Sequence, residues 1–76
     1  MNYFDGQPVQ LGDVAAVGGG MTGTVIGIIH QGLFSEAMPQ GDYGVAHGVM
    51  VNTEEAGWVL ITKADDPEFL LIRRKS

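Results

Sequence analysis

Gly12-Asp13-Val14-Ala15-Ala16-Val17-Gly18-Gly19-Gly20-Met21-Thr22-Gly23-Thr24-Val25-Ile26-Gly27-Ile28-Ile29-His30 is the stretch whose reading decides the fold. Small and β-branched residues fill it on both sides of a glycine triplet. Only glycine enters positive φ cheaply several times in succession, so the triplet predicts a tight turn between two strands. The first strand is expected over Gly12 to Val17, with Val14 and Ala16 opposed to Ala15 and Val17. The second is expected over Thr22 to His30, where Thr24, Val25, Ile26, Ile28 and Ile29 populate both faces. Gly27 inside that run marks a bulge or sharp bend, as a small curled sheet needs.

Downstream, Gln31 to Gly44 reads as a 14-residue connection carrying Pro39, three glycines and the apolar members Leu33, Phe34, Met38 and Tyr43. Loops of that length without structure of their own are usually functional or mobile. A third strand is expected over Val45 to Val51, where Val45, His47, Val49 and Val51 alternate with Ala46, Gly48 and Met50. Asn52 to Gly57 then forms a turn, and Trp58 to Thr62 returns as the fourth strand.

Two readings compete at the C-terminus. Asp66-Pro67-Glu68 suits a helix start, with Phe69 to Ile72 and a basic end behind it. A single helical turn over Asp65 to Glu68 followed by a closing strand, Phe69 to Arg73, avoids the nucleation cost of so short a helix. The second reading is preferred. It makes residues 1–76 one all-β domain, a small five-stranded barrel with a long loop between strands 2 and 3 and a short helical turn before the last strand.

Gly12-Asp13-Val14, then Gly18-Gly19-Gly20, then Gly23-Thr24-Val25-Ile26 resembles the strand-turn-strand element of SH3-like small barrels, in particular KOW-type domains. The long loop, the following hairpin and the turn before the last strand are similar to that architecture. The resemblance implies an SH3-like fold and contact with RNA or with transcription and ribosomal partners. The sequence departs from it where such domains carry basic residues, because Asp13 is the only charge over positions 12 to 29. Counterion release scales with the phosphates neutralised, and this element has no cation to neutralise any.

The charge distribution is one-sided. No lysine or arginine occurs in the first 62 residues, nine carboxylates face Lys63 alone over residues 1 to 72, and Arg73, Arg74 and Lys75 bring the net charge to −5. Such a body repels phosphate backbones and anionic membranes and attracts basic partners. Arg73-Arg74-Lys75 is the only basis for a nucleic-acid contact, and a solvated tail or a charged strand edge accounts for it as well. Cysteine is absent, so no disulfide or thiolate zinc site supports the core. A reducing cytosol fits, as does the cysteine-free kind of exported domain. No signal peptide and no membrane span are read from the sequence, since glycines, Thr22, Thr24, His30 and Gln31 interrupt the uncharged segment.

No catalytic, cofactor or metal residues are expected. Gly18, Gly20 and Gly23 match G-x-G-x-x-G literally, but a β-branched run follows where a dinucleotide site needs a helix, and a P-loop would need a lysine. His30 and His47 have no third ligand at a useful spacing, and Ser35-Glu36 lacks the context of a nucleophile elbow. Glu54-Glu55 and Asp65-Asp66 read as solvated loop charges, not as the fixed opposed pair of acid–base chemistry.

What remains is a set of apolar anchors among carboxylates: Phe34, Glu36, Met38, Asp42 and Tyr43 in the long loop, with Glu54, Glu55 and Trp58 at the neighbouring hairpin. Aromatics and methionine supply anchoring area, and surrounding carboxylates select a cationic partner and speed its arrival. The plainer account is that Phe34, Met38 and Trp58 cap the core. Small size, acidity and the lack of a catalytic group are similar to the immunity proteins of bacterial toxin systems, an analogy of size and charge that implies a basic toxin or effector as target. The competing class is a structural module that homo-oligomerises through an edge strand or docks within a larger assembly.

Overall fold

The computed structural model describes residues 1–63 and 66–75. It contains six strands in one antiparallel sheet: β1 (Val14–Gly18), β2 (Met21–Ile28), β3 (Leu33–Phe34), β4 (Val49–Thr53), β5 (Gly57–Ile61) and β6 (Phe69–Arg73). The strand order is β5-β4-β2-β1-β6, with the short β3 against the far end of β2. The all-β expectation holds at that level. One strand more than expected is present, and β5 and β6 stand at opposite ends of the ladder.

Gly18 pairs with Met21, which leaves Gly19 and Gly20 as a two-residue turn at φ +60 and +77. Two consecutive positive φ values match the right-handed twist of the flanking strands, and glycine holds them without Cβ strain. β2 is the strand that organises the sheet. Its first half pairs with β1, its second half with β3, and β4 runs along its other side.

The ladder between β2 and β4 slips between Val25 and Gly27, so Ile26 is the extra residue of a bulge. Val25 and Ile28 therefore face one side of the sheet while Ile26 faces the other. On the inner side Tyr3, Val9, Ala15, Val17, Val25, Ile28, Val49, Val51, Ile61 and Phe69 form the main core. On the outer side Ile26, Met50 and Met38 form a second cluster, flanked by Ile29, Phe34, Tyr43 and Leu60.

Asp13 closes one end of the main core and is 1% exposed. Its Oδ2 accepts hydrogen bonds from Tyr3 O–H at 2.7 Å, from Gln10 N–H at 2.9 Å and from Arg74 Nη1 at 2.7 Å. Arg74 also donates to Pro8 O at 2.8 Å. One carboxylate thus ties together the N-terminal segment, the entry to β1 and the exit from β6. Burial first, then the bond to Asp13 and its charge, push the Tyr3 phenol well above its ordinary value of 10.0.

Several boundaries differ from expectation. β4 starts at Val49 and not at Val45, because Gly48 sits at φ +152, where a strand cannot continue, and Val45 to His47 are exposed. β2 ends at Ile28, and Ile29–Gln31 forms a 3-10 turn. β1 begins at Val14. The expected helical turn before the last strand is a hydrogen-bonded turn in which Phe69 N–H donates to Asp66 O at 3.1 Å and Glu68 N–H to Asp66 Oδ1 at 2.9 Å. Asp65, its expected start, lies outside the described residues. The closing strand spans Phe69–Arg73 as read from the sequence, and no helix replaces it.

Candidate functional site

The connection after β3 is a flap folded over the outer face of the sheet. Ser35 N–H donates to Ile26 O at 2.9 Å, Met38 N–H to Ser35 O at 3.1 Å and Ala37 N–H to Ser35 Oγ at 3.2 Å. Further along, Gly44 N–H donates to Asp42 Oδ1 at 2.8 Å, and Tyr43 O–H donates to Pro39 O. Met38 pins the flap down. It is fully buried, and its sulfur lies directly over Gly27, where any Cβ would collide with it. Gly27 is thus both the bend expected from the sequence and the seat of the flap's anchor.

The expected site residues separate into three groups. Phe34, Tyr43 and Trp58 form an aromatic row over β5 and the flap, with ring centroids 6.0 Å apart between Phe34 and Tyr43 and 6.2 Å apart between Tyr43 and Trp58. Trp58 is 45% exposed, and Phe34 and Tyr43 are half-buried. Glu36, Asp42, Glu54 and Glu55 are exposed. Met38 is fully buried and holds the second cluster from within, on an apolar seat of Ile26 and Met50, which corrects its reading as a surface anchor and agrees with the plainer one in which it caps the core.

Two hollows meet at Thr24 on this face. One, of about 680 Å³, runs between the flap and the turn before β1 and is bordered by Phe34, Glu36, Gly12 and Lys75. The other, of about 240 Å³, lies between Glu54, Glu55, Asn52 and Arg73. Together they make a trough across β2, the first hollow bordered by Glu36 and Lys75 and the second by Glu54, Glu55 and Arg73. The fold brings the flap's Glu36 and the hairpin's Glu54 and Glu55 to one surface. Asp42 stands apart, with its carboxylate turned to the flap's own backbone.

Among the described residues the one ion pair is Arg74 with Asp13, so Glu36, Asp42, Glu54 and Glu55 carry uncompensated charge. Chemistry that needs a converged set is harder to build here. His30 and His47 do come together, with stacked rings 4.4 Å apart, which their sequence separation gave no sign of. Stacking presents two parallel faces and does not aim two nitrogens at one ion. Burial first, then the nearby N-terminal amine and His47, hold the His30 imidazole below its ordinary value of 6.5. Met1 nitrogen lies 3.0 Å from His30 Nε2. Among the described residues no three His, Asp or Glu side chains gather as a metal-holding group, and no helix is long and apolar enough to cross a membrane.

The sequence reading missed the N-terminal segment as a structural part. Tyr3 and Val9 are core residues, and an isolated Asp13 among aliphatics was the available signal that a buried polar partner was needed. Comparison with known proteins found no matching family model, no matching curated protein and no matching solved structure.

Proposed function

We propose that this chain is a non-enzymatic binding module for a protein with a basic surface, as an immunity protein or inhibitor of a basic bacterial toxin or effector would be. The observation that carries the reading is the outer face itself. Partly exposed Phe34, Tyr43 and Trp58 form a row, Glu36 follows Phe34 by two residues, Glu54 and Glu55 sit in the turn that leads into the strand of Trp58, and these carboxylates have no ion-pair partner among the described residues. An aromatic row supplies apolar and cation–π contact for a lysine or arginine, while the carboxylates steer it inward. The anchored flap keeps these groups in place before binding, which lowers the ordering cost of association. The strand order β5-β4-β2-β1-β6 and the long curved β2 further support reading the domain as SH3-like, with the KOW-like element β1-turn-β2 turned to a protein partner in place of RNA.

The test is kinetic. A partner captured at low salt is purified, and its binding is followed by surface plasmon resonance from about 50 to about 500 mM salt. Glu36→Lys, Glu54→Lys and Glu55→Lys together should slow association by about tenfold or more and change dissociation less. Asp42 is left intact, since its carboxylate holds the flap. A neutral or acidic partner, or rates indifferent to charge reversal and salt, would overturn the reading.

A further inference from the structure

The return end of the flap, Val45 to His47, is exposed, and among the described residues its main chain makes no hydrogen bond. The next residue is the opposite case. Gly48 is buried at φ +152, its carbonyl accepts from Ile29 N–H at 2.9 Å, and a Cβ on it would come within 2.9 Å of the Leu60 side chain. The chain is fixed at Gly48 and free of main-chain ties just before it. His47 bridges the two regimes, because its ring stacks on His30 with centroids 4.4 Å apart and planes 26° from parallel. His30 belongs to the 3-10 turn whose first N–H is held by Gly48, so the stack ties the flap's return to the far end of β2.

The charged and titratable groups that act on His30 are the Met1 ammonium and His47, and neither is an anion. Met1 nitrogen stands 3.0 Å from His30 Nε2, and an ammonium only donates, so Nε2 accepts and His30 is neutral while that contact lasts. The other ring nitrogen, Nδ1, is buried without a hydrogen-bond partner. A protonated ring would donate from both nitrogens, one facing an ammonium and the other facing no acceptor. The 3-10 turn adds only Gln31, and β3 adds only Leu33 and Phe34, none of them charged. On the flap, Glu36 and Asp42 form no ion pair with either ring, and the Asp42 carboxylate is turned to Gly44 N–H. Of the influences on His30, only the Gly48 main chain favours the charged form, and it is the smallest.

We propose that the His30–His47 stack is an acid-released latch on the flap: with neutral rings it holds Val45 to His47 against the end of β2, and with both rings protonated it lets that end go. Neutral imidazoles stack as other aromatic pairs do. Two imidazoliums 4.4 Å apart disfavour the closed arrangement about fivefold even at the dielectric constant of water, and the Met1 ammonium adds to the repulsion. Release breaks no main-chain hydrogen bond at Val45 to His47, so Gly48 and β4 keep theirs. Tyr43 lies two residues before the released end and is the middle ring of the aromatic row. Acid therefore loosens the outer face, a consequence for binding that rests on the basic-partner reading; the latch itself does not.

Nuclear magnetic resonance of the free chain in about 50 mM salt, titrated from about pH 8 to about pH 4.5, follows the imidazole ring protons of His30 and His47 together with the amides of Val45 to Gly48. The first proton taken up should lower the affinity of the pair for the second by about fivefold or more, and the amides of Ala46 and His47 should move to unordered positions in step with the second. His47→Phe keeps on His30 a ring that takes no proton, so the same amides should hold their positions across the range. His47→Gln, neutral and unstacked, should give the released positions already at the alkaline end. His47 is exposed, and circular dichroism checks that both variants fold. Rings that titrate independently, amides that ignore pH in the parent, or an equal response in the parent and in His47→Phe would overturn the proposal. No binding partner enters this readout, so the latch and the basic-partner reading fail separately.

Discussion

Asp13→Ala is expected to be the most damaging single change outside the apolar core. Its Oδ2 serves three donors, each worth about 1.5–3 kcal/mol when bonded to a charged acceptor. Not all of that is lost. Arg74 is 33% exposed and Gln10 is exposed, so both rehydrate. The Tyr3 hydroxyl cannot, since the residue is 2% exposed and its ring packs tilted against Phe69 with centroids 4.7 Å apart, and the stranded donor costs about 1–3 kcal/mol. The sum is about 3–4 kcal/mol, against a total of about 4–11 kcal/mol for a domain of this size. Asp13→Asn should cost less, because an amide oxygen at the Oδ2 position keeps all three donors, and Oδ1 makes no hydrogen bond to lose. Arg74→Met should cost about 1–2 kcal/mol alone and little once Asp13 is gone, so the two changes are sub-additive. Urea unfolding followed by the single tryptophan, Trp58, and by far-ultraviolet circular dichroism reads all four proteins. A loss under 1 kcal/mol for Asp13→Ala, or additive losses in the double variant, would refute the shared-acceptor account.

Two further outcomes follow from the site. Met38→Ala removes the flap's buried anchor at a cost of about 2 kcal/mol, the low end for a buried methionine because a peripheral site can collapse; amide exchange at Ala37 and Met38 should speed up while Val51 keeps its protection, and unchanged flap exchange would refute the anchoring role. The lowered His30 value means that below pH 6.5 the unfolded chain takes up the proton before the folded chain does, so stability present at neutral pH is lost on acidification. His30→Gln should flatten the fall in unfolding free energy between about pH 7 and pH 5, and an unchanged slope would show that the loss arises elsewhere.

Local chemistry made parts of this fold legible and left others hidden. The Gly18-Gly19-Gly20 turn, the bend at Gly27 and the limits of β6 follow from residues that constrain their own backbone: serial glycines, or Asp66-Pro67 in front of a strand. The start of β4 was hidden because period-two alternation from Val45 to Val51 runs through Gly48 unbroken, whereas the chain does not. Nothing in the side-chain pattern registers a backbone angle that only glycine adopts. Its loop neighbours let Met38 read either as a surface anchor or as a cap of the core, and the sequence alone does not choose. The partner of Met38, the space over Gly27, is an absence of side chain and so is silent in a list of apolar positions. The exposed members of the expected site, Glu36, Asp42, Glu54, Glu55 and Trp58, follow from residue type, but that Glu36 borders one hollow and Glu54 and Glu55 another, both reaching Thr24, depends on strand register.

The basic tail changes meaning once it is placed. As sequence, Arg73-Arg74-Lys75 is a compact block of three positive charges and the single argument for a phosphate contact. In the fold the three point to different tasks. Arg73 stands in β6 opposite Val14 and borders the hollow that Glu54 and Glu55 also line. Arg74 is held by Asp13 and the Pro8 carbonyl, so engaging a phosphate would break a bond to a carboxylate that is 1% exposed. The aliphatic stem of Lys75 lies over Gly12, where an added Cβ would come within 2.6 Å of it. A block that spends its central charge on closing the core offers at most two cations to a polyanion, too few for the counterion release that makes such binding strong. The same placement leaves Glu36, Glu54 and Glu55 without an ion-pair partner among the described residues. The folded chain thus keeps the charge asymmetry already present in its sequence, which is the ground on which a cation-bearing protein surface is proposed as its partner.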